Sequence, residues 1–237
     1  MFAEAQKKDS PSFSLNNMRN IEYLKKELMD SRVYELLILP PPAVFDVETL
    51  RDTHYYIFQD FPRIGAAEPP PGKIRSYIPE EDWSKYRKLE SIPDGRSLVC
   101  YSPMSEQNLN ELGQALKEAQ PDKLKTLSCK EFAETMSKLY ARLDYTHSFH
   151  DGNSRTLRTF TKRLAIASGY DIEWEKIENS KKMRDLLCIA RDRAVGEIAI
   201  DHIRNKDNKL RVGFCMDKYA GNPSLFQLMT TIVRPGT

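Results

Sequence analysis

The sequence predicts a mainly α-helical bundle that carries one small β-hairpin. Apolar residues recur with the 3.6-residue period of amphipathic helices through most of the chain. Only two short segments, KIRSYI and SLVCY, have the composition of strands. At 237 residues, with 40% hydrophobic and 30% charged residues, the chain has the length and composition of one sizeable soluble domain with terminal additions.

The N-terminal part contains two predicted helices separated by prolines. The first dozen residues are polar, and we expect them to be disordered. A helical pattern follows over residues 15–39, and Pro40-Pro41-Pro42 ends it. A second helix is predicted over 47–61. The apolar positions that define these helices are Met18, Ile21, Leu24, Leu28, Leu36 and Leu37 in the first, and Leu50, Tyr55, Ile57 and Phe58 in the second.

A proline-rich bend over 68–72 leads into the predicted hairpin. Its strands are KIRSYI and SLVCY, and the charged segment EEDWSKYRKLESIPDGR separates them as a long irregular connection. Further helices are predicted over 105–119, 129–145, 153–168 and 180–204, and the pattern from Asn205 onward predicts no particular structure. We therefore divide the chain into a partly helical N-terminal extension (1–44), a main domain (45–205) and a C-terminal extension (206–237).

Bulk properties exclude several classes of protein. The net charge of +2 is too small to indicate binding to nucleic acid or to an anionic membrane surface. No apolar run approaches the roughly 18 residues that span a bilayer, and the polar N-terminus lacks a secretory signal. The four cysteines lie far apart and show no metal-binding spacing, so we expect reduced thiols. We expect a cytoplasmic protein, with delivery into another cell left open.

The run HSFHDGNSRTLR, residues 147–158, has the composition of a phosphate-binding site. Its turn, residues 152–154, opens a helix, and free N–H groups at a helix N-terminus bind anions. Arg155 and Arg158 lie three positions apart and therefore project from one helical face, where both can bind phosphate oxygens.

The same run supplies a base and a metal ligand. His147 titrates near neutral pH and suits general-base catalysis. Asp151 can hold a hard cation such as Mg²⁺ beside bound phosphates, although an Asp at this position can also be a simple helix cap. His150 has no evident role, and we expect it to be an exposed loop residue. Together with the turn and the arginines, these residues predict phosphoryl or nucleotidyl transfer.

This run resembles the signature of the Fic family, H-x-F-x-[D/E]-G-N-G-R-x-x-R. Seven of the eight fixed positions match: His147, Phe149, Asp151, Gly152, Asn153, Arg155 and Arg158. Ser154 stands where the pattern has its second glycine. The segment FAETMSKLYARLDYTHSF before the run, RLAIASGYDIEW after it, and LRDTHYYIFQDFPRIG with GKIR upstream also resemble the family, so the likeness covers roughly residues 45–205.

The resemblance implies transfer of AMP from ATP to a Ser, Thr or Tyr hydroxyl of a target protein. It implies that His147 removes the hydroxyl proton and that Asp151 holds Mg²⁺. Phe149 should fix the loop to the core, and Asn153 should donate to the charged transition state. Gly152, Asn153 and Ser154 would form the phosphate-binding turn, with Arg155 on the β-phosphate and Arg158 near the γ-phosphate. Lys73, Ile74 and Arg75 resemble the start of the hairpin, or flap, that binds an extended target segment.

Alternatives remain at Ser154. Doc toxins, which are related to this family, replace the same glycine with lysine and transfer the γ-phosphate. Transfer of phosphate, UMP or phosphocholine is therefore an alternative reaction, and a catalytically silent binding module or degenerate toxin is an alternative of another class. Retention of His147 and both arginines argues against a silent module.

Regulation in many Fic proteins depends on an inhibitory helix, [S/T]-x-x-x-E-[G/N], whose glutamate pairs with the second motif arginine. The nearest match, SRVYE from Ser31 to Glu35, is followed by Leu36 and lies in an apolar helical pattern, which favours a packing role. No glutamate follows Asn205. We therefore expect any restraint to come from a separate antitoxin-like protein.

Overall fold

The structure, a computed structural model, describes residues 15–77, 82–93 and 95–236, with side chains from Asn20 onward. The disordered lead expected before Leu15 lies outside these residues. The helices are α1 (Leu15–Ile38), α2 (Val47–Phe58), α3 (Glu106–Glu118), α4 (Pro121–Leu124), α5 (Cys129–Thr146), α6 (Asn153–Ala167), α7 (Glu175–Glu178), α8 (Lys181–Ala199), α9 (Lys206–Lys218) and α10 (Leu225–Ile232). The strands are β1 (Trp83–Lys88), β2 (Arg96–Tyr101), β3 (Tyr170–Ile172) and β4 (Val233–Pro235), and a 3₁₀ turn spans Phe61–Ile64.

The predicted mainly helical fold with a small antiparallel sheet is confirmed, but the first strand of the hairpin was placed wrongly. SLVCY lies in β2, and its partner is β1, with Trp83 opposite Tyr101 and Lys88 opposite Arg96. Strand β1 lies inside the segment predicted to be irregular, because its mostly exposed residues lack the apolar pattern that reveals a strand. Residues 73–77 form only an isolated bridge, from Ile74 to Phe149.

The C-terminal residues are more regular than the sequence indicated. The helix predicted over 180–204 ends at Ala199, and the residues after it form α9, α10 and β4. Strand β4 pairs antiparallel with β3, with Val233 opposite Ile172. This second two-stranded sheet was not predicted, because three-residue strands are too short to show a period.

Helix α5 is the centre of the core, and its position determines where the site lies. It begins with a capping box in which Ser128 and Glu131 bond reciprocally. It packs against α3, α6, α8 and α10, and its buried Phe132 and Met136 belong to one cluster with Phe160 of α6. The β1–β2 hairpin packs on α8 and α9 through a second cluster.

The loop between α5 and α6 contains the first half of the run 147–158, and the second half begins α6. Helix α5 ends at a left-handed His147, with φ 46°, and α6 begins after a left-handed Gly152, with φ 78°. Helix α1 packs on α2 and α6, close to the motif arginines. Within the described ranges, no helix combines the length and apolar character needed to cross a membrane.

Candidate active site

His147 is held at the end of α5 by backbone and aromatic contacts. Its N–H donates to the carbonyl of Leu143 (3.2 Å), and its ring stacks on Tyr101 with centroids 3.8 Å apart and planes 19° apart. The side chain is almost wholly buried, and this burial lowers the pKa of His147 to about 4. The imidazole is therefore neutral near pH 7, as a group that is to accept a proton must be.

Arg75 supports the same helix end from outside. Its Nε donates to the His147 carbonyl (2.6 Å) and its Nη2 to the Thr146 carbonyl (3.0 Å), with a further bond to the carbonyl of Ser102. Burial lowers the pKa of Arg75 to about 10, so it remains charged at neutral pH. The side chain of Arg75 is therefore buried against the end of α5. The flap role of Arg75 stays a prediction. Lys73 is exposed, while Ile74 pairs with the motif loop.

Phe149 and His54 fix the middle of the loop. Phe149 is buried, as predicted, and its ring stacks on His54 at a centroid distance of 3.8 Å. The Nδ1 of His54 accepts from the N–H of Gly72 (2.9 Å), so Nε2 carries the proton and donates to the carbonyl of Asp151 (3.2 Å). His54 was not predicted to have a role, because a histidine in an amphipathic helix has no local signature.

Gly152 and Asn153 shape the turn. A Cβ at Gly152 would lie 2.4 Å from Cζ of Phe58, so glycine is required by space as well as by its positive φ. The Asn153 amide was predicted to donate to the transition state. In the structure it accepts from the N–H of Phe149 (3.0 Å) and donates to the Phe149 carbonyl (2.6 Å), and these bonds hold the loop. The donation to the transition state stays a prediction.

The N-terminus of α6 has the properties of an anion site. In the described part of the chain, no side chain caps this helix, so the N–H groups of its first turn are available to phosphate oxygens. Asp151 was a candidate cap, but the cap position is Gly152, and Asp151 is exposed beside it. The carboxylate of Asp151 is therefore available for another ligand.

A single exposed carboxylate suits Mg²⁺ better than it suits a metal ion whose ligands all come from the protein. Among residues 15–77, 82–93 and 95–236, no cluster of three or more metal-ligating side chains occurs. Mg²⁺ at nucleotide sites is commonly bound by one or two carboxylates together with substrate phosphates and water. Asp151 fits that arrangement.

The two arginines point into a shared cavity between α1, α6 and α7. This cavity has a volume of about 210 Å³, and Asp30, Glu175 and Glu178 lie on its wall. Nη1 of Arg155 contacts Sδ of Met29 at 2.9 Å, and burial lowers the pKa of Arg155. Nη2 of Arg158 pairs with Glu178 at 2.8 Å.

Ser154, the departure from the expected glycine, is bound to α8. Its Oγ accepts from Nη1 of Arg191 (2.9 Å), whose guanidinium is buried and paired with Asp144. Neither Asp144 nor Arg191 was singled out from the sequence. Glu35 bonds to Arg32 (2.7 Å) and to the hydroxyl of Tyr56 (3.0 Å), and it does not contact Arg158 through these bonds.

Comparison with known proteins agrees with this site. The sequence profile of the Fic/DOC family matches residues 44–165. The chain is 25% identical over 170 residues to the protein adenylyltransferase VbhT of Bartonella schoenbuchensis; the match covers 72% of this chain but only 31% of that protein's length. It is also 25% identical over 171 residues to the probable protein adenylyltransferase Fic of Escherichia coli, covering 69% of this chain and 75% of the relative.

A solved structure has the same fold. The BepC protein of Bartonella tribocorum, described as a VirB-translocated effector with bound AMPPNP, superimposes with a TM-score of 0.60 at 17% identity. The superposition covers 95% of this chain and 92% of that one.

Proposed function

Because the chain belongs to the Fic/DOC family, we propose that it is a protein adenylyltransferase that moves AMP from ATP to a Ser, Thr or Tyr hydroxyl of a target protein. One observation carries the proposal: a five-residue loop joins a neutral, buried His147 to an uncapped helix N-terminus that bears Arg155 and Arg158. The relatives named as protein adenylyltransferases support the same reaction.

The proposed reaction is an in-line displacement at the α-phosphorus. The target hydroxyl oxygen forms a bond to that phosphorus while the bond to the oxygen bridging the α- and β-phosphates breaks. Pyrophosphate leaves, and the hydroxyl proton passes to the imidazole of His147. The product is a phosphodiester between AMP and the target side chain.

The remaining residues of the run would hold the nucleotide. The N–H groups of residues 153–155 and the Arg155 guanidinium would bind the β-phosphate, and Arg158 would bind the γ-phosphate once it leaves Glu178. Asp151 would hold Mg²⁺, which neutralises the charge that develops on the leaving group.

Transfer of a different group is the second candidate, and Ser154 is the observation that favours it. A side chain in place of glycine at the start of α6 changes the surface that faces the phosphates. A shift of the triphosphate along this surface would bring the γ-phosphorus to the target hydroxyl. Binding of another phosphorus-containing donor, such as UTP, would transfer a different group from the same site.

The experiment compares ATP labelled with ³²P at the α- and γ-positions, incubated with the protein and a cell lysate. AMP transfer labels a protein from α-³²P ATP only, whereas phosphate transfer labels it from γ-³²P ATP only. His147→Ala should abolish the labelling that exceeds that of the lysate alone, and His150→Ala, which changes an exposed neighbour, should retain it. Absence of labelling from ATP, UTP and GTP with a target that binds would favour the silent module.

We also propose that Glu35 does not restrain the site and that a separate inhibitor protein does. The Glu35 carboxylate is bonded to Arg32 and Tyr56, while the carboxylate on Arg158 comes from Glu178. Glu35→Gly should therefore leave self-modification close to its wild-type level. A sharp rise in self-modification would identify Glu35 as inhibitory instead.

A further inference from the structure

A buried ion pair lies directly behind the proposed catalytic base. Asp144, one helical turn before His147, is fully buried and binds Arg191 of α8 through both carboxylate oxygens. The Arg191 Nε donates to Oδ2 at 3.0 Å and its Nη2 donates to Oδ1 at 2.8 Å. Burial alone would raise the pKa of Asp144, but the paired guanidinium outweighs it and holds that pKa well below its usual range. Asp144 is therefore a permanent negative charge.

The charge of Asp144 faces one particular nitrogen of His147. The Nδ1 atom lies 3.9 Å from Oδ1 of Asp144, and in the described part of the chain Nδ1 has no hydrogen-bond partner and no access to water. A separation of 3.9 Å exceeds a hydrogen bond, but electrostatic forces are strong where water is excluded. A protonated Nδ1 is attracted to the carboxylate, whereas a lone pair on Nδ1 would be repelled.

Contacts hold the imidazole ring of His147 in this position. The stack on Tyr101 fixes its plane, and the backbone of His147 is held by bonds to Leu143 and Arg75. With the proton on Nδ1, the lone pair is on Nε2, which is then the atom that accepts a proton.

Arg191 also extends this network to the phosphate-binding turn. Its third nitrogen, Nη1, donates to Ser154 Oγ at 2.9 Å, so all three guanidinium nitrogens are engaged. One side chain of α8 thus contacts both the helix that ends in the base and the helix that begins at the anion site. A glycine at position 154 could not make this bond.

We propose that Asp144 is a positioning residue that holds His147 in the Nδ1–H tautomer, and that Arg191 fixes Asp144 and ties it to the phosphate-binding turn through Ser154. The role of Asp144 in catalysis rests on the proposed function, but the tautomer of His147 does not. An experiment can therefore refute one claim without refuting the other. A neutral imidazole with its lone pair on Nε2 is the form that can act as the base, and Asp144 stabilises the imidazolium that forms after proton transfer.

The tautomer can be read without substrate by long-range ¹H–¹⁵N NMR near pH 7.5. The chain has four histidines, and the spectrum of His147→Gln identifies the signals of His147. We expect wild type in the Nδ1–H form and Asp144→Asn with a large Nε2–H fraction. An Nε2–H form in the wild type, or an unchanged tautomer in the variant, would overturn the proposal.

Two further variants control for structural damage. Asp144→Asn leaves Arg191 buried without its charged partner. Should this single variant unfold, the double variant Asp144→Asn/Arg191→Gln, which removes both charges, replaces it. Asp185→Asn alters a different buried carboxylate, which lies on α8 and binds the backbone of residues 90–91. It should leave the tautomer as in wild type, and a shift there would also overturn the proposal.

Measurements of kcat and of the KM for ATP distinguish an effect on the position of His147 from an effect on ATP binding. Asp144→Asn should lower kcat for transfer about 10- to 100-fold with the KM for ATP within about twofold of wild type, because the residues proposed to bind ATP are unchanged. Ser154→Ala should keep the tautomer and raise the KM for ATP a few-fold, because it loosens the turn alone. Wild-type kinetics in Ser154→Ala would refute the link through Ser154. Loss of transfer in every protein, wild type included, would count against the proposed function while leaving the tautomer result intact.

Discussion

Gly152→Ala should be among the most damaging single-methyl changes in this chain. The residue has φ 78°, which costs about 1–2 kcal/mol for a residue with a Cβ. The added Cβ would also lie 2.4 Å from Cζ and 2.5 Å from Cε2 of Phe58, and 3.3 Å from Nε2 of His54. Overpacking of this kind costs about 1–3 kcal/mol. Together we expect a loss of about 2–5 kcal/mol in the free energy of unfolding.

Gly169→Ala is the matched control for this substitution. Gly169 has a similar φ of 81°, but a Cβ there would meet nothing within 4 Å. It should therefore show only the conformational cost of about 1–2 kcal/mol. Urea denaturation of both variants, with m-values equal to that of wild type, measures the difference. Equal losses in the two variants would refute the steric argument.

A second substitution identifies the group responsible for the clash. Phe58→Leu removes the ring atoms closest to the new methyl group, so Gly152→Ala should cost less in a Phe58→Leu background than in wild type. We expect a coupling free energy of about 1 kcal/mol or more. Additive effects would show that the damage comes from the backbone conformation alone.

Three further outcomes follow from the site. Glu178→Gln should lower the KM for ATP about two- to fivefold, because it releases Arg158 from a half-exposed ion pair; titration with ATP at low salt measures this, and an unchanged KM would contradict it. Burial lowers the pKa of His54 to about 4, so the unfolded chain binds the proton more strongly and stability should fall as pH drops from about 6.5 towards 4. Melting temperatures across that range should depend less on pH in His54→Gln than in wild type. An identical dependence in the two proteins would show that His54 is not the group responsible. Arg75→Lys should destabilise the fold by about 2–3 kcal/mol in urea denaturation, since an ammonium cannot reach all the carbonyls that the guanidinium binds, and a neutral effect would show those bonds to be dispensable.

The main parts of the candidate site were predictable because they are contiguous in sequence. His147 ends one helix and Gly152 precedes the next, so their separation is set by a short loop and by local conformation. The helices themselves were predictable for a similar reason: α3, α5 and α6 carry a clear apolar period, and their observed ends lie within about two residues of the predicted ones.

The parts that were missed depend on contacts between distant segments. Periodicity shows which face of α8 is buried but not that Arg191 meets Asp144 and Ser154 there. Arg75 resembled part of an exposed strand, and only the fold shows that it is buried against the carbonyl of His147. A buried charge in an amphipathic pattern predicts a partner, but its identity requires the tertiary structure.

The loop from His147 to Gly152 is held largely by side chains from outside it. Arg75 binds the carbonyl of His147, His54 binds that of Asp151, and Arg191 binds Ser154 of the turn that follows. These three side chains are almost wholly buried, and they come from three separate parts of the chain. The proposed base and the proposed phosphate-binding turn are therefore held in place by the fold itself, and transfer reactions require preorganisation of this kind. It follows that damage to any of the three should lower kcat even where the residues that contact ATP are intact.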